Sequence, residues 1–172
     1  MFSFSHYRLL ALLLLLNGTH TLHAQHFTLD VQSDTLAFLM LTDTVNGGGV
    51  ISRWQLPYPT YGFCTGDING DGHDEAIVGV IKATRFNPVK ARRLFIYKNV
   101  EGRIRPMWLG SKLGGFIDDF RYLSGKIRCL HRSDGDKWHV VDYQWGSFGP
   151  TNADIIIENT THEQARKIFL SP

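Results

Sequence analysis

The stretch that decides the fold is residues 66–80, GDINGDGHDEAIVGV, in which an acidic turn runs directly into an apolar segment. Within residues 67–75 the chain places four acidic side chains, one asparagine and two glycines. Carboxylates crowded into one turn repel each other, and a bound cation would relieve that repulsion. The apolar run that follows, AIVGVI from Ala76, has the length and composition of a buried strand. We therefore expect a cation-binding loop that a strand anchors in the core.

The spacing of the oxygen-bearing side chains in this loop favours calcium. Calcium is a hard cation that takes six to eight oxygen ligands, and alternate residues of a turn supply converging carboxylates. Counted from Asp67 as the first position, Gly72 stands at the sixth, where glycine permits a sharp turn that directs the next carbonyl inward. We expect Asp74 to face solvent. A solvated turn of the Asn-Gly and Asp-Gly type is the alternative.

The succession of strand, acidic loop and strand resembles an FG-GAP repeat, the calcium-loop blade of integrin-type β-propellers. The resemblance covers residues 61–80, and RLFIYKN from Arg93 resembles the next strand of such a blade. The loop occurs once, and the chain is too short for a ring of six or seven blades. The whole chain is also similar to small exported bacterial proteins that carry one such loop. The resemblance implies that one calcium ion is held by Asp67, Asn69, Asp71, the backbone carbonyl of His73, and Glu75.

The rest of the chain consists of short strand-length runs separated by turn signals such as Glu-Gly, Ser-Gly and Asp-Gly. Several runs alternate apolar and polar residues, as half-buried antiparallel strands do. We expect a mainly β fold of antiparallel blade-like sheets, a partial or small β-propeller-like arrangement, with a short C-terminal helix. Thr160 and Glu163 form a capping box for that helix, whose apolar side comprises Ala165, Ile168 and Phe169. The runs begin at His26, Leu36, Gly49, Tyr61, Ala76, Arg93, Arg103, Ile117, Lys126, Trp138 and Ala153.

The first 24 residues have the features of a secretory signal peptide. Residues 1–8 carry one formal positive charge and no acid, residues 9–16 are unbroken aliphatic, and TLHAQ follows. Eight apolar residues are too few to span a bilayer, which needs about 20. We expect cleavage after Ala24, which leaves one β-rich domain at residues 25–172 that is exported to the periplasm, the outer surface or the medium. A retained membrane anchor is the alternative.

Charge and cysteine content limit the classes of partner and of stabilising chemistry. The 172-residue chain has a formal net charge of +2, which becomes +1 when Arg8 leaves with the leader. That balance argues against nucleic acid as a partner. The remaining length is sufficient for one domain with a real core. Cys64 and Cys129 have the pattern of small core residues inside strands, and outside the cytoplasm pairing is also open to them.

Two further patterns each have a functional and a structural interpretation. Residues 82–93, KATRFNPVKARR, hold five basic residues that would bind phosphate or an acidic glycan, or would form a solvated connection between two strands. Tryptophan side chains stack on sugar rings, but aromatic residues at strand spacing are more often part of the core. We expect core positions for at least three of the four tryptophans, Trp54, Trp108, Trp138 and Trp145.

Taken together, these patterns favour a non-enzymatic, calcium-stabilised binding or envelope-interaction module whose partner is a protein or glycan of the cell envelope. The alternative is a periplasmic or surface hydrolase that acts on glycans. A deep pocket of titratable residues away from the acidic loop would favour the hydrolase, whereas a large exposed apolar face would favour a structural role in an assembly. Ser147 lacks the context of a nucleophile elbow. The remaining hydrolase candidates, which match no metal-ligand spacing, are His131, Asp134, Asp136 and His139.

Overall fold

The computed structural model describes residues 25–45, 48–85, 87–110 and 113–172, and the predicted leader lies outside them. In the described chain eleven strands are followed by one α-helix, and each predicted run lies in a different strand. The elements are β1 (Gln25–Ser33), β2 (Leu36–Asp43), β3 (Gly49–Leu56), β4 (Thr60–Gly66), β5 (Glu75–Thr84), β6 (Asn87–Val100), β7 (Arg103–Leu109), β8 (Phe116–Leu123), β9 (Lys126–Arg132), β10 (Trp138–Gly146), β11 (Gly149–Thr160) and α1 (His162–Leu170).

The strands form three antiparallel sheets, and in each sheet strands that follow one another in the chain lie side by side. Sheet 1 contains β1 to β3, sheet 2 contains β4 to β7, and sheet 3 contains β8 to β11. Sheet 2 packs against sheet 1 on one side and sheet 3 on the other, and the sheets do not close into a barrel. The prediction of a mainly β fold of antiparallel sheets with a short C-terminal helix is confirmed.

Sheet 2 is buried on both faces, which explains why its middle strands are unbroken apolar runs. On β5, Val78 packs in the cluster shared with sheet 1, whereas Ile77 packs in the cluster shared with sheet 3. On β6, Tyr97 and Ile96 divide in the same way. Because neighbouring side chains of a strand point to opposite faces, a strand covered on both sides needs apolar residues at successive positions. The apolar run after the acidic loop is therefore the centre of the stack.

The two ends of the stack are covered in different ways. On the outside of sheet 3, Ala165 and Phe169 of α1 pack against Leu130. On β2, Phe38 alternates with the buried residues of sheet 1, and the guanidinium of Arg53 lies 3.4 Å from the centre of its ring. An amphipathic helix at one end and a cation over an aromatic ring at the other both cover apolar surface without a further sheet.

The helix begins one residue later than the sequence predicted. Thr161 rather than Thr160 is the N-cap, and its hydroxyl accepts a hydrogen bond from the N–H of Gln164 at 3.3 Å. The predicted pair of Thr160 and Glu163 is therefore wrong by one position, because THEQ offers the same capping pattern as TTHE. The predicted apolar side is confirmed by its burial against sheet 3. No helix in the described part of the chain is long and apolar enough to cross a membrane.

Two arginines of sheet 3 hold the C-terminal end of α1. Arg128 donates to the carbonyl of Ser171 at 2.9 Å, and Arg121 donates to the carbonyl of Leu170 at 3.0 Å. Positive charge at this end of a helix interacts favourably with its unpaired carbonyls. Arg128 also forms a buried, two-point ion pair with Asp142, with N–O distances of 2.7 and 3.0 Å. This ion pair joins β9 to β10 beneath the helix.

Residues 82–93, which the sequence presented as a basic loop, are mostly strand. β5 continues to Thr84 and β6 begins at Asn87, so the two strands extend beyond the sheet as a hairpin. A solvated connection is the wrong interpretation for Arg93, whereas Arg92 is exposed but pairs with an acid. Arg92 pairs with Asp118 at 3.2 Å, and Arg93 is only 7% exposed.

Both cysteines are free thiols in the structure. Cys129 is fully buried and Cys64 is half-buried, and both belong to the core between sheets 2 and 3. The structure therefore supports the core interpretation rather than pairing. Burial raises the pKa of the Cys64 thiol to about 12 and raises that of Cys129 well above its ordinary value. Both thiols are protonated near neutral pH and thus poor nucleophiles.

Candidate functional site

The acidic loop, residues 67–75, connects the end of β4 to the start of β5, at one edge of the buried middle sheet. Glycines at the two tight points of the loop, Gly70 and Gly72, have φ angles of 76° and 85°, which side chains of other residues rarely tolerate. Asp74 is exposed, as predicted. The fold thus presents the predicted ligands on a short turn fixed at both ends by paired strands.

The carboxylate of Asp67 organises the backbone of this turn. One of its oxygens accepts the N–H groups of Gly70 and Asp71 at 2.7 and 3.1 Å, and the other accepts that of Gly72 at 2.8 Å. The bond from Gly72, followed by those from the other amides, lowers the pKa of Asp67 against a smaller opposing effect of burial. Asp67 is therefore an ionised group that shapes the loop by local hydrogen bonds.

Glu75 places a carboxylate at the base of the loop, where it is only 1% exposed. It accepts the N–H of Ile68 at 3.1 Å and the side-chain amide of Asn69 at 2.9 Å. Burial raises the pKa of Glu75 to about 7, the hydrogen bond from Ile68 opposes the shift, and the charges of Asp71, Asp67 and Asp74 add to it. A buried carboxylate beside other carboxylates lacks a compensating positive charge.

Asn69 lies between the two other predicted side-chain ligands. Its amide nitrogen donates to Asp71 at 3.0 Å and to Glu75 at 2.9 Å, while its oxygen accepts the N–H of Asp71 at 2.8 Å. One amide group thus faces both carboxylates, at a place where a cation would contact oxygen atoms. Of the predicted ligands, the side chains of Asn69, Asp71 and Glu75 converge here. The carboxylate of Asp67 contacts the same turn by accepting hydrogen bonds from backbone N–H groups.

The donor chemistry of the loop fits calcium, although the carboxylates are not arranged as a ready metal cluster. All predicted ligands offer oxygen atoms, which calcium prefers. Among the described residues no group of three or more His, Cys, Asp or Glu side chains is close enough to hold a metal ion. The predicted carbonyl of His73 adds an oxygen at the same turn, and the N–H of His73 donates to Asp71 at 2.9 Å.

Sheet 3 contacts the acidic loop through Tyr122. The Tyr122 hydroxyl donates to the backbone carbonyl of Asp67 at 3.1 Å. Its ring lies so close to Gly66 that a β-carbon there would stand 2.4 Å from ring atoms. Only glycine allows this approach, so the last residue of β4 links the loop to the packing between sheets 2 and 3.

A second candidate site is a cleft of about 960 Å³ away from the loop, of which the sequence singled out the basic segment 82–93. It lies between the start of β6, the start of β8 and the connection from β9 to β10. We call it the arginine cleft, because Arg92, Arg93 and Arg132 all contribute to its wall. Three segments distant in sequence form it, so no local spacing announced it; the only signal was the density of basic residues at 82–93.

The charges of the cleft are unequally compensated. Arg92 pairs with Asp118, and its guanidinium lies 4.9 Å from the ring centre of Tyr61. Arg93 donates to the backbone carbonyl of Val89 at 3.1 Å, but its Nε is buried without a hydrogen-bond partner. Arg132 is more than half exposed and only 3.9 Å from the exposed Asp136, at the limit of an ion pair.

A serine and a histidine in the same cleft form a hydrogen-bonded pair. The hydroxyl of Ser133 lies 3.0 Å from Nδ1 of His139, and Nε2 of His139 lies 3.2 Å from the carbonyl of Gly114. Because a carbonyl only accepts, Nε2 carries the proton and Nδ1 accepts from Ser133. The sequence singled out His139 but not Ser133, since the β9–β10 connection between them sets the contact.

His131, the other histidine singled out from the sequence, is inside the core rather than in the cleft. It is fully buried, stacks on the ring of His139 at 5.0 Å, and its Nε2 lies 3.1 Å from the Tyr143 hydroxyl. Burial lowers the pKa of His131 to about 3, and His139 adds to the shift. Of the two aspartates that the sequence also singled out, Asp134 lines the cleft, whereas Asp136 is exposed outside its lining.

The four tryptophans are core-associated, as expected for at least three of them. Trp54 packs between sheets 1 and 2, and Trp108 and Trp145 pack at the margin of the core between sheets 2 and 3. Trp138 packs beside α1 and also lines the arginine cleft.

Comparison of the sequence with protein-family models found no match, and comparison with curated proteins found no similar protein.

Proposed function

We propose that this chain is an exported, calcium-stabilised binding module in which the acidic loop, residues 67–75, is an FG-GAP-like calcium site. The observation that carries the proposal is the buried carboxylate of Glu75, which accepts the Ile68 N–H and shares the Asn69 amide with the carboxylate of Asp71. A solvated turn does not need to bury a carboxylate at its base. Burying such a group is costly unless a positive charge or several donors compensate it. The loop fits an ion that neutralises it.

In this proposal calcium supplies positive charge and a preference for oxygen ligands. Asp67, Asn69, Asp71, Glu75 and the carbonyl of His73 would hold it. The chain's own residues do the rest: Asp67 fixes the backbone of the turn, and Tyr122 ties the turn to sheet 3. Because β5 begins at Glu75 and runs through the centre of the stack, ordering the loop stabilises the fold.

The melting temperature in calcium, in magnesium and in a chelator tests the proposal. At a free calcium concentration ten times the dissociation constant, linkage gives about 1.4 kcal/mol, a rise of a few degrees for a domain of this size. Magnesium should do much less, because it demands a tighter octahedron of ligands. Asp71→Ala should abolish the response, whereas Asp74→Ala, a neighbouring exposed acid, should keep it. Equal melting of wild type and Asp71→Ala in every buffer would reject the calcium site.

Hydrolysis is the second candidate function, and the Ser133–His139 pair favours it. In an acyl transfer, the Ser133 oxygen would bond to the acyl carbon as its proton moves to Nδ1 of His139. The leaving alkoxide would take that proton, and water would release the acyl group by the same steps. A fluorophosphonate probe should then label the wild type but not Ser133→Ala, and Ser147→Ala should label normally. Absence of labelling and of ester turnover would remove this candidate.

A further inference from the structure

We propose that the arginine cleft binds a carboxylate-bearing saccharide and that Arg93 supplies the charge that recognises the carboxylate. The inference rests on the proposed function in one respect, since it names the ligand class of the binding module. The cleft and the acidic loop share no residues, so the two proposals can fail separately.

Arg93 lines the cleft although only 7% of its surface is exposed. Arginine is seldom this deeply buried unless a carboxylate pairs with it. In the described chain Arg93 has no acidic partner: Nη2 donates to a backbone carbonyl, and Nε has no partner. Removing a charge from water without a counter-charge is costly, so an anion that enters the cleft recovers free energy. The planar guanidinium group matches the two oxygens of a carboxylate.

The residues that line the cleft around Arg93 carry unequal numbers of positive and negative charges. The wall of the cleft contains three arginines and two aspartates. Asp118 is occupied by Arg92, and the other charged residues of the wall are Arg93, Arg132 and Asp134. The wall itself thus has an excess of one positive charge, and Arg132, whose exposed partner Asp136 lies outside the wall at the 3.9 Å limit of an ion pair, is exposed enough to meet an incoming anion. A localised excess of this kind attracts an acidic ligand even though the whole chain is almost neutral.

The cleft also combines aromatic side chains with hydrogen-bonding groups. Phe116 lies in the wall with 55% of its surface exposed, and Trp138 lines the same cleft. Aromatic faces accept the apolar C–H side of a sugar ring. Asn87, Ser133 and His139 add polar groups for hydroxyls. The volume is at the upper end of ligand pockets, which suits a segment of a saccharide better than a lone inorganic anion.

The test uses a uronic acid disaccharide and its methyl ester, two probes of nearly equal size that differ in charge. Binding to the full mature chain is measured by NMR titration in low salt. We expect saturable binding of the acid and binding at least about tenfold weaker for the ester, because a charge-assisted hydrogen bond to Arg93 is lost. Inorganic phosphate and an acidic tetrapeptide are titrated in parallel.

Variants assign the binding to the cleft. Arg93→Met removes the uncompensated charge, so it should abolish discrimination between acid and ester while the melting temperature stays level or rises. Arg132→Ser should weaken the acid several-fold, and Arg105→Ser, an exposed arginine on β7, should change nothing. Ser133→Ala should weaken the acid and the ester to the same extent and keep the discrimination between them, since it removes a group for hydroxyls and not the charge.

Equal affinity for acid and ester, or wild-type discrimination by Arg93→Met, overturns the proposal. Tighter binding of phosphate or of the tetrapeptide overturns the assignment to a saccharide. If the acid binds as expected while the melting temperature ignores calcium, the calcium site fails and the cleft stands. If calcium stabilises the chain and neither disaccharide binds, the reverse holds.

Discussion

The contribution of buried His131 to stability should be lost as the pH falls below about 6.5, while Glu75, whose pKa is raised to about 7, acts in the opposite direction over the same range. The ordinary pKa of His131 in an unfolded chain is about 6.5, and in the folded chain burial, with a contribution from His139, lowers it to about 3. Between these values the unfolded chain binds a proton at His131 that the folded chain does not, so the His131 contribution to stability is complete above pH 6.5 and declines below it. The two pKa values give a loss of about 2 kcal/mol at pH 5 and about 3 kcal/mol at pH 4.

Urea unfolding at pH 7.5, 6, 5 and 4 measures this loss for wild type and two variants. His131→Gln cannot titrate, so its free energy of unfolding should fall less than that of wild type over the same range. Tyr143→Phe removes the hydroxyl that contacts His131 but keeps the imidazole, so it should lower stability at every pH and keep the wild-type slope. If His131→Gln follows the wild-type pH dependence, the imidazole is not held neutral by burial.

Three further outcomes follow from the packing. Gly79→Ala should cost about 1–3 kcal/mol in urea unfolding, since its β-carbon would stand 2.6 Å from the ring of Phe120, whereas Gly49→Ala, with open space around it, should not. Asp142→Asn should cost about 3–5 kcal/mol by the same assay because it leaves Arg128 buried without its carboxylate; a loss below about 1 kcal/mol would contradict this. The two cysteines should resist a thiol reagent at pH 8 until the chain is unfolded, and prompt labelling of the native protein would refute their burial.

The sequence predicted the strands well because local pattern and tertiary burial agree in this fold. Strands of the middle sheet such as β5 are apolar and buried at successive positions, whereas β2, in a sheet at the end of the stack, alternates in burial. Turns at Glu101-Gly102 and Ser124-Gly125 have the positive φ angles that their glycines announce. The helix start was displaced because two overlapping capping patterns are equally good locally, and only docking against sheet 3 selects between them.

The acidic loop and the arginine cleft differ in how much of the chain forms them, and therefore in how far the sequence alone could predict them. The acidic loop is contained in nine consecutive residues, so its proposed ligands could be named from the local pattern and its resemblance to an FG-GAP loop, and the structure brings Asn69, Asp71 and Glu75 together. The arginine cleft depends on three segments and on the burial of Arg93. Because residues 82–93 are rich in basic side chains, the sequence alone also fits a solvated loop there. Non-local packing of this kind leaves no periodic signal in the sequence.

Whether the acidic loop binds one calcium ion is tested most directly by an NMR titration of the protein. The backbone amides of Gly70 and Gly72 donate to Asp67 and are sensitive reporters of the loop. Extracellular calcium modules bind at about 10⁻⁴–10⁻³ M. We predict that these amide resonances shift with calcium in that range, saturate at one ion per chain and respond weakly to magnesium, and that Glu75→Gln weakens the response. Unchanged loop resonances at 10 mM calcium would contradict the account.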